Sequence, residues 1–183
     1  GPPASGNGGY CCGVVADFIE GAASVRLRVP PPLDVPMEIH RQESSVAMMH
    51  NDELVAIGRP ASVDIEVPSP PDHATAEKAS ARYRGFESHF YPGCFVCGPQ
   101  RQHGDGLRVF AGPLETGHGP DGMVASTWTA ETSLTDAAGK VLNRYLWAVL
   151  DCPGAYAFPE PVTGAILLGE LSVDIRGAVA SGE

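Results

Sequence analysis

The chain has 183 residues, of which 43% are hydrophobic and 19% charged, as expected for a globular protein with one large domain or two small ones. Its formal net charge of -10, with only 12 lysine and arginine residues spread along the chain, argues against a nucleic-acid partner, which needs clustered positive charge. No apolar run approaches the roughly 20 residues that span a bilayer, and the opening residues lack the features of a signal peptide, so we expect no membrane association and a cytoplasmic location.

The first predicted element is a buried helix that begins near residue 8. Its apolar residues recur every three or four positions, which is the pattern of one helix face. They are Tyr10, Val14, Val15, Phe18 and Ile19. Asn7 is the predicted N-cap and Gly21 the predicted stop.

Two glycines at the start of this helix, Gly8 and Gly9, are candidate hydrogen-bond donors to a ligand. The first amides of a helix have no partner within it, and glycine has no side chain to shield them. The segment is therefore a candidate oxyanion hole. The alternative is that the glycines only allow the helix to pack closely on a sheet.

Three stretches after the helix, 23–29, 37–49 and 54–67, alternate in the manner of strands, and short antiparallel hairpins fit them better than parallel crossovers. Asn51-Asp52 offers a turn before the third stretch. A proline-rich segment then leads into Ala74–Tyr83, a helical or disordered connector. We therefore divide the chain into a first half (1–67), a connector (68–85) and a second half (86–183).

The chain has five cysteines, and Cys94 and Cys97 have the spacing of half a zinc site. No second Cys or His pair follows at a suitable distance, and His89 and His103 are the only nearby candidates for the four ligands that structural zinc needs. A zinc site, a redox pair and a tight turn packed by small residues all fit the spacing. We favour the turn and predict no metal site.

The second half begins with predicted strands at 106–110 and 123–128 and ends with a long strand at 165–175. Between them lies a second helix, with Leu142, Leu146, Val149 and Leu150 on one stripe. Because proline disrupts helices, we expect this helix to end or kink at Pro153.

Asp151 would then lie near the C-terminus of an apolar helix, where the helix dipole disfavours negative charge by roughly 0.3 to 1 kcal/mol. Burial and the dipole would both raise its pKa. Asp151 is therefore a candidate catalytic carboxylate. The alternative is a solvent-facing aspartate on the outer stripe of the helix.

The helix-then-antiparallel-sheet pattern, repeated twice, resembles the double hotdog fold of the acyl-CoA thioesterase superfamily, an α+β fold in which each sheet wraps around a central helix. In the phenylacetate-pathway type of these enzymes, a His-Gly-Gly opens the helix and an aspartate follows about two turns later. Asn7-Gly8-Gly9 is similar to that opening, and Asp151 matches the aspartate if residues 142–144 take the glycine positions.

The chain also resembles, over nearly its whole length, a group of actinobacterial thioesterase-like proteins. The segments that are similar to this group's signatures are Gly8-Gly9-Tyr10, Pro30-Pro31-Pro32-Leu33, Cys94-Phe95-Val96-Cys97-Gly98-Pro99 and Leu150-Asp151-Cys152-Pro153-Gly154.

Each half departs from the thioesterase pattern in a different way. The first helix keeps the glycines, but its acid, Asp17, comes one residue late and so points about 100° away around the helix. The second helix keeps Asp151 without the glycines. Because a hotdog site lies between two central helices, the resemblance implies one active site built from unlike halves.

In the implied reaction, the amide of Gly9, together with that of Gly8, binds the thioester carbonyl oxygen, and Asp151 activates water or attacks the carbonyl carbon. Asn143 is expected to orient the water. The predicted substrate contacts are Asn7, Tyr10, Tyr145 and Trp147. Acyl-CoA is the expected substrate, and no cofactor is expected.

Two alternatives to this enzyme remain. A non-catalytic hotdog module that binds acyl-CoA or another apolar ligand would equally tolerate the lost glycines and the displaced acid. A hotdog hydratase fits less well, because no histidine follows Asp151. A full hotdog has more strands than this chain supplies, so we expect either incomplete ends or completion by another chain, and a homodimer or higher homo-oligomer.

Overall fold

The computed structural model describes residues 1–115, 117, 119, 122–158 and 164–182, and these form a mixed α+β structure. The predicted α+β class is confirmed. The α-helices described are α1 (Gly8–Ala16), α2 (His73–Ala81) and α3 (Asn143–Tyr156). The strands described are β1 (Ala23–Leu27), β2 (Glu38–Arg41), β3 (Val46–His50), β4 (Glu53–Pro60), β5 (Gly112–Pro113), β6 (Val124–Ala125) and β7 (Glu170–Val173).

The main sheet has five antiparallel strands in the order β2-β3-β4-β1-β7. The predicted turn between β3 and β4 is present, and Asn51 adopts the left-handed conformation there (φ 52°). β7 pairs with β1, so that Val173 lies opposite Ala23. The last strand of the chain therefore completes a sheet whose other strands come from the first 60 residues.

Two of the hydrophobic clusters of the described residues meet at the pair formed by α1 and α3. The first core lies between α1 and the main sheet and includes Val15, Val25, Val55 and Trp147. The second includes Tyr83, Cys94, Val96 and Ala148 and packs under the other face of α3. α3 contributes to both cores and so joins the sheet to the loops around residues 91–110.

α1 and α3 cross at very short range because glycines of α1 face the backbone of α3. A Cβ atom at Gly9 would lie 2.8 Å from the carbonyl oxygen of Trp147, and one at Gly13 would lie 2.5 Å from the Cα of Arg144. Since the later α1 residue meets the earlier α3 residue, the two helices run antiparallel.

Several predicted boundaries differ from those observed. α1 ends at Ala16 instead of near Gly21. The strand predicted at 54–67 is observed as β4 and stops at Pro60. The apolar residues beyond it, Ile65 and Val67, are 67% and 70% exposed. Alternating apolar residues form a strand only where one face of that strand is buried against the rest of the protein. After residue 60 the apolar side chains are exposed, so the strand does not continue.

The second half also has less regular strand structure than predicted. Residues 106–110 form no assigned strand, although the amides of Leu107 and Val109 donate to the carbonyls of Phe95 and Val96 at 2.8 Å. The predicted strands at 123–128 and 165–175 are reduced to β6 and β7. Among the described residues, no helix is both long enough and apolar enough to cross a membrane.

Candidate functional site

Asn7 caps α1, as predicted from the sequence. Its Oδ1 accepts the amide of Tyr10 at 2.8 Å. Its Nδ2 donates to Oδ2 of Asp151 at 3.2 Å. One asparagine side chain therefore fixes the start of α1 and also ties it to α3.

Asp151 lies against the N-terminus of α1, 142 positions away from Gly9 in sequence. Its Oδ2 accepts the amide of Gly9 at 2.9 Å. Among the described residues, its other oxygen, Oδ1, has no hydrogen-bond partner. The carboxylate is thus held by one oxygen and leaves the second available for chemistry.

Of the two alternatives predicted at Pro153, a helix end or a kink, the helix end is wrong, and Asp151 lies within α3. α3 continues through Pro153 to Tyr156, and the carbonyl of Pro153 accepts the amide of Ala157 at 3.1 Å. Proline removes one backbone donor but keeps its carbonyl acceptor. Asp151 therefore lies inside the helix and not at its unfavourable C-terminal end.

Burial raises the pKa of Asp151, and the hydrogen bonds from Gly9 and Asn7 oppose that rise. The predicted rise of the pKa is confirmed, and its main cause is desolvation; the end of the helix does not contribute, because Asp151 lies inside α3. The positive end of the α1 dipole also faces the carboxylate and favours its charged form. A carboxylate whose pKa is raised by burial is a stronger base than an exposed one, which suits it to accept a proton from water.

The two glycines at the start of α1 have different roles. Gly8 lies against the sheet side, where an added Cβ would be 3.1 Å from side-chain atoms of both Leu27 and Leu168. Gly9 lies against α3, so close packing involves a helix as well as the predicted sheet. The Gly9 amide is taken by Asp151, whereas the Gly8 amide has no acceptor among the described residues.

Asn143 does not join this site. It begins α3, and eight residues at 1.5 Å each place it about 12 Å from Asp151 along the helix. It lines a groove of about 850 Å³ at the opposite end of the helix pair, together with Asp17 and Arg144. The prediction that Asn143 orients a water beside Asp151 is therefore wrong, because more than two turns of α3 separate the two residues.

The same distant end contains an ion pair that sequence reasoning missed. Nε of Arg144 lies 3.2 Å from Oδ2 of Asp17. Burial raises the pKa of Asp17, and the positive charge of Arg144 lowers it. Arg144 is the second residue of α3, and the second residue of α1 is Gly9. Arg144 therefore stands where α1 has a glycine, and it pairs with Asp17, the C-cap residue of α1.

The predicted aromatic substrate contacts lie in packed positions. Trp147 is 3% exposed and belongs to the first core, so it does not wall an open pocket beside Asp151. Tyr10 and Tyr145 lie side by side with ring centroids 5.5 Å apart, and both pack against the second core.

Three cysteine side chains converge in the second core, and sequence reasoning had brought together only two of them. The sulfur atoms of Cys94, Cys97 and Cys152 all lie within 4.8 Å of one another. The four-residue spacing of Ala148, Cys152 and Tyr156 was a signal that one face of α3 meets this core. The predicted helix end at Pro153 concealed that signal.

Replacing Asn7 by alanine is expected to lower the free energy of unfolding by about 1 to 2 kcal/mol, because it removes the helix cap and one donor to Asp151. Asn7→Ser is the matched control, since serine keeps a capping oxygen and loses only the amide donor. Urea denaturation of both variants checks this. Equal losses in the two variants would contradict a capping role for Asn7.

Comparison with known proteins gives no match to this chain among protein-family models, curated proteins or solved structures.

Proposed function

We propose that the protein hydrolyses an acyl-CoA thioester at a single site between α1 and α3. The observation that supports this proposal is the direct contact between the Asp151 carboxylate and the glycine-rich N-terminus of α1. Acyl transfer needs one group that activates the nucleophile and donors that stabilise the oxyanion, and a carboxylate and a free amide at a helix N-terminus can fill these two roles. The sequence resemblance to hotdog thioesterases pairs the same two groups.

The hydrogen bonds of the site distribute the proposed roles. Because the Gly9 amide already binds Oδ2 of Asp151, the Gly8 amide is assigned to the thioester carbonyl oxygen. Oδ1 of Asp151 takes a proton from water as the water oxygen attacks the carbonyl carbon. Collapse of the tetrahedral intermediate breaks the carbon–sulfur bond, and the thiolate of coenzyme A recovers the proton. Direct attack by Oδ1, followed by hydrolysis of the anhydride, uses the same oxygen.

The opposite end of the helix pair supports the proposal of one site and not two. There the helix start carries Arg144 in place of a glycine, and Asp17 is engaged in an ion pair with that arginine at 3.2 Å. The positive charge of Arg144 lies beside the Asp17 carboxylate, and this helix start lacks the pair of glycines that α1 has. The pseudo-symmetric position is therefore assigned a structural role.

A double hotdog fold, a homo-oligomeric state and a cytoplasmic location form part of the same proposal. The five-stranded antiparallel sheet packed on α1 is compatible with one hotdog half. Within the described residues, β2 and β7 are the edge strands of the main sheet, and their outer backbone groups could pair with a second copy. Size-exclusion chromatography with light scattering tests the homo-oligomer directly, and a monomer at micromolar concentration would contradict it.

A second function, acyl-CoA binding without turnover, is favoured by the bond between Gly9 and Asp151. This bond satisfies an amide that a thioesterase would otherwise offer to the substrate. In a binding module Asp151 would serve only to join the two helices.

Thiol release from a panel of short, long and aromatic acyl-CoAs separates these two functions. We expect turnover of at least one member, with saturation kinetics. Calorimetric titration of the same panel is the companion measurement. Binding of an acyl-CoA without thiol release would contradict the enzyme and support the binding module.

A further inference from the structure

The three converging cysteines are held by two separate parts of the chain. Cys94 and Cys97 come from the loop before residue 98, and Cys152 comes from α3. Sγ of Cys94 lies 3.8 Å from Sγ of Cys152. Cys94 and Cys97 are 3% and 4% exposed, whereas Cys152 is only partly buried.

The loop that carries Cys94 and Cys97 forms a tight knuckle closed by backbone hydrogen bonds. The amide of Gly98 donates to the carbonyl of Cys94 at 2.9 Å, and the amide of Cys94 donates to the carbonyl of Tyr91 at 2.8 Å. A Cβ at Gly98 would lie 2.5 Å from backbone atoms of Cys94 and Pro92. Glycine is therefore required at this position, and the knuckle directs both sulfurs to the same side.

We propose that Cys94, Cys97 and Cys152 bind a zinc ion as three thiolates. Zinc–sulfur bonds are about 2.3 Å long, so two thiolates of a tetrahedral site are about 3.8 Å apart. The Cys94–Cys152 separation of 3.8 Å has this value, and the third sulfur is within 4.8 Å of both. The proposal is independent of thioester hydrolysis.

His89 is assigned as a hydrogen-bond donor to this site. Its Nδ1 accepts the amide of Tyr91 at 2.9 Å, which leaves the ring proton on Nε2. Nε2 lies 3.4 Å from Sγ of Cys97. A donor to a thiolate reduces the excess negative charge that three thiolates give a divalent ion. The residues that the structure describes thus supply three ligands, and a solvent molecule takes the fourth position.

Two features favour a metal over a redox disulfide. A disulfide uses two sulfurs, whereas this cluster directs three to one point. Redox-active cysteines also need access for an oxidant or a partner thiol, and Cys94 and Cys97 are buried beneath aromatic side chains of the second core. Zinc would join the knuckle to α3 and so contribute to folding.

The test is metal analysis of untagged full-length protein, with elemental mass spectrometry and zinc-edge X-ray absorption. We expect about one zinc per chain and a first shell of three sulfur neighbours. Cobalt exchanged into the site is expected to give the visible bands of a tetrahedral ion and a sulfur-to-cobalt charge-transfer band. These wild-type readouts do not depend on the folding of any variant.

Cysteine variants assign the ligands. Cys94→Ser, Cys97→Ser and Cys152→Ser are each expected to lose the metal, whereas Cys11→Ala, a buried cysteine of α1 outside the cluster, is the matched control and keeps it. His89→Ala is expected to weaken zinc binding about 10- to 100-fold and to leave the three-sulfur shell in place. Complete loss of metal in His89→Ala would overturn its role as a donor.

The proposal is overturned if the wild-type protein, expressed with zinc and then exposed to cobalt, binds neither ion. It is also overturned if peptide mapping of the freshly purified protein finds a Cys94–Cys152 disulfide, since that pair could then not supply two thiolates.

Discussion

Replacing Gly13 by alanine is expected to lower the free energy of unfolding by about 1 to 3 kcal/mol, the usual cost of overpacking. A Cβ at this position would lie 2.5 Å from the Cα and 3.0 Å from the carbonyl oxygen of Arg144, and 2.9 Å from the Cβ of Trp147. These are backbone and near-backbone atoms of α3, so they cannot rotate away as the end of a side chain would. The helices must separate instead.

Helix propensity alone would predict that Gly13→Ala stabilises the protein, whereas the close contact with α3 predicts that it destabilises it. In an open helical site, glycine to alanine stabilises a protein by about 0.5 to 1 kcal/mol. Gly154, inside α3, offers such a site, because a Cβ there meets nothing within 4 Å. Gly154→Ala is therefore the matched control.

Urea denaturation of the two glycine variants measures both effects in one experiment. We expect the midpoint to fall for Gly13→Ala and to rise for Gly154→Ala. If Gly13→Ala were as stable as the wild-type protein, the close approach of α1 and α3 would be contradicted. Thermal unfolding gives a second readout, with about 2 to 4 °C for each kcal/mol in a chain of this size.

Local sequence signals predicted the start of α1 well, because they are set by near neighbours. Asn7 precedes two glycines and an apolar run, and its side chain caps the helix as the residue types require. The hairpin turn at Asn51 was predicted for the same reason. Caps and turns depend on a few adjacent residues, so the sequence alone determines them.

Features that depend on tertiary contacts were predicted less well. Pro153 indicates a helix end locally, yet Ala148, Cys152 and Tyr156 pack against the second core on both sides of it, and this packing outweighs one missing hydrogen bond. The pairing of β7 with β1 and the approach of Cys152 to Cys94 join residues far apart in sequence. Periodicity within a segment gives no information on such partners.

The candidate site was predicted in its main pair and not in its surroundings. The sequence brought Asp151 and the α1 glycines together through the thioesterase resemblance, and the structure places them in hydrogen-bonding contact. It also placed Asn143 beside Asp151, which the length of α3 rules out. The hydrogen bond between Gly9 and Asp151 was not expected, because the Gly9 amide had been assigned to the thioester carbonyl oxygen and Asp151 to the attacking water or the carbonyl carbon.

Replacing Asp151 by asparagine is expected to reduce thioester hydrolysis at least 100-fold. General base catalysis typically contributes a factor of about 100 to 10,000, and an amide cannot take a proton from water. Asparagine keeps an oxygen that can accept the Gly9 amide, so the contact between α1 and α3 should persist. The fold is therefore expected to survive while the chemistry is lost.

Asp17→Asn is the matched control for this variant. It also removes one carboxylate from a central helix, but Asp17 pairs with Arg144 at the other end of the helix pair. We expect its turnover to remain within about threefold of the wild-type value, since Asp17 lies with Arg144 at the end of the helix pair away from Asp151. Circular dichroism melts of both variants exclude loss of fold as the cause.

The most direct test of the account is thiol release from the preferred acyl-CoA by the wild-type, Asp151→Asn and Asp17→Asn proteins, measured at saturating substrate. The account predicts turnover by the wild-type and Asp17→Asn proteins and a fall of at least 100-fold for Asp151→Asn. Wild-type turnover that survives in a folded Asp151→Asn protein would contradict a catalytic site at the contact between Asp151 and α1.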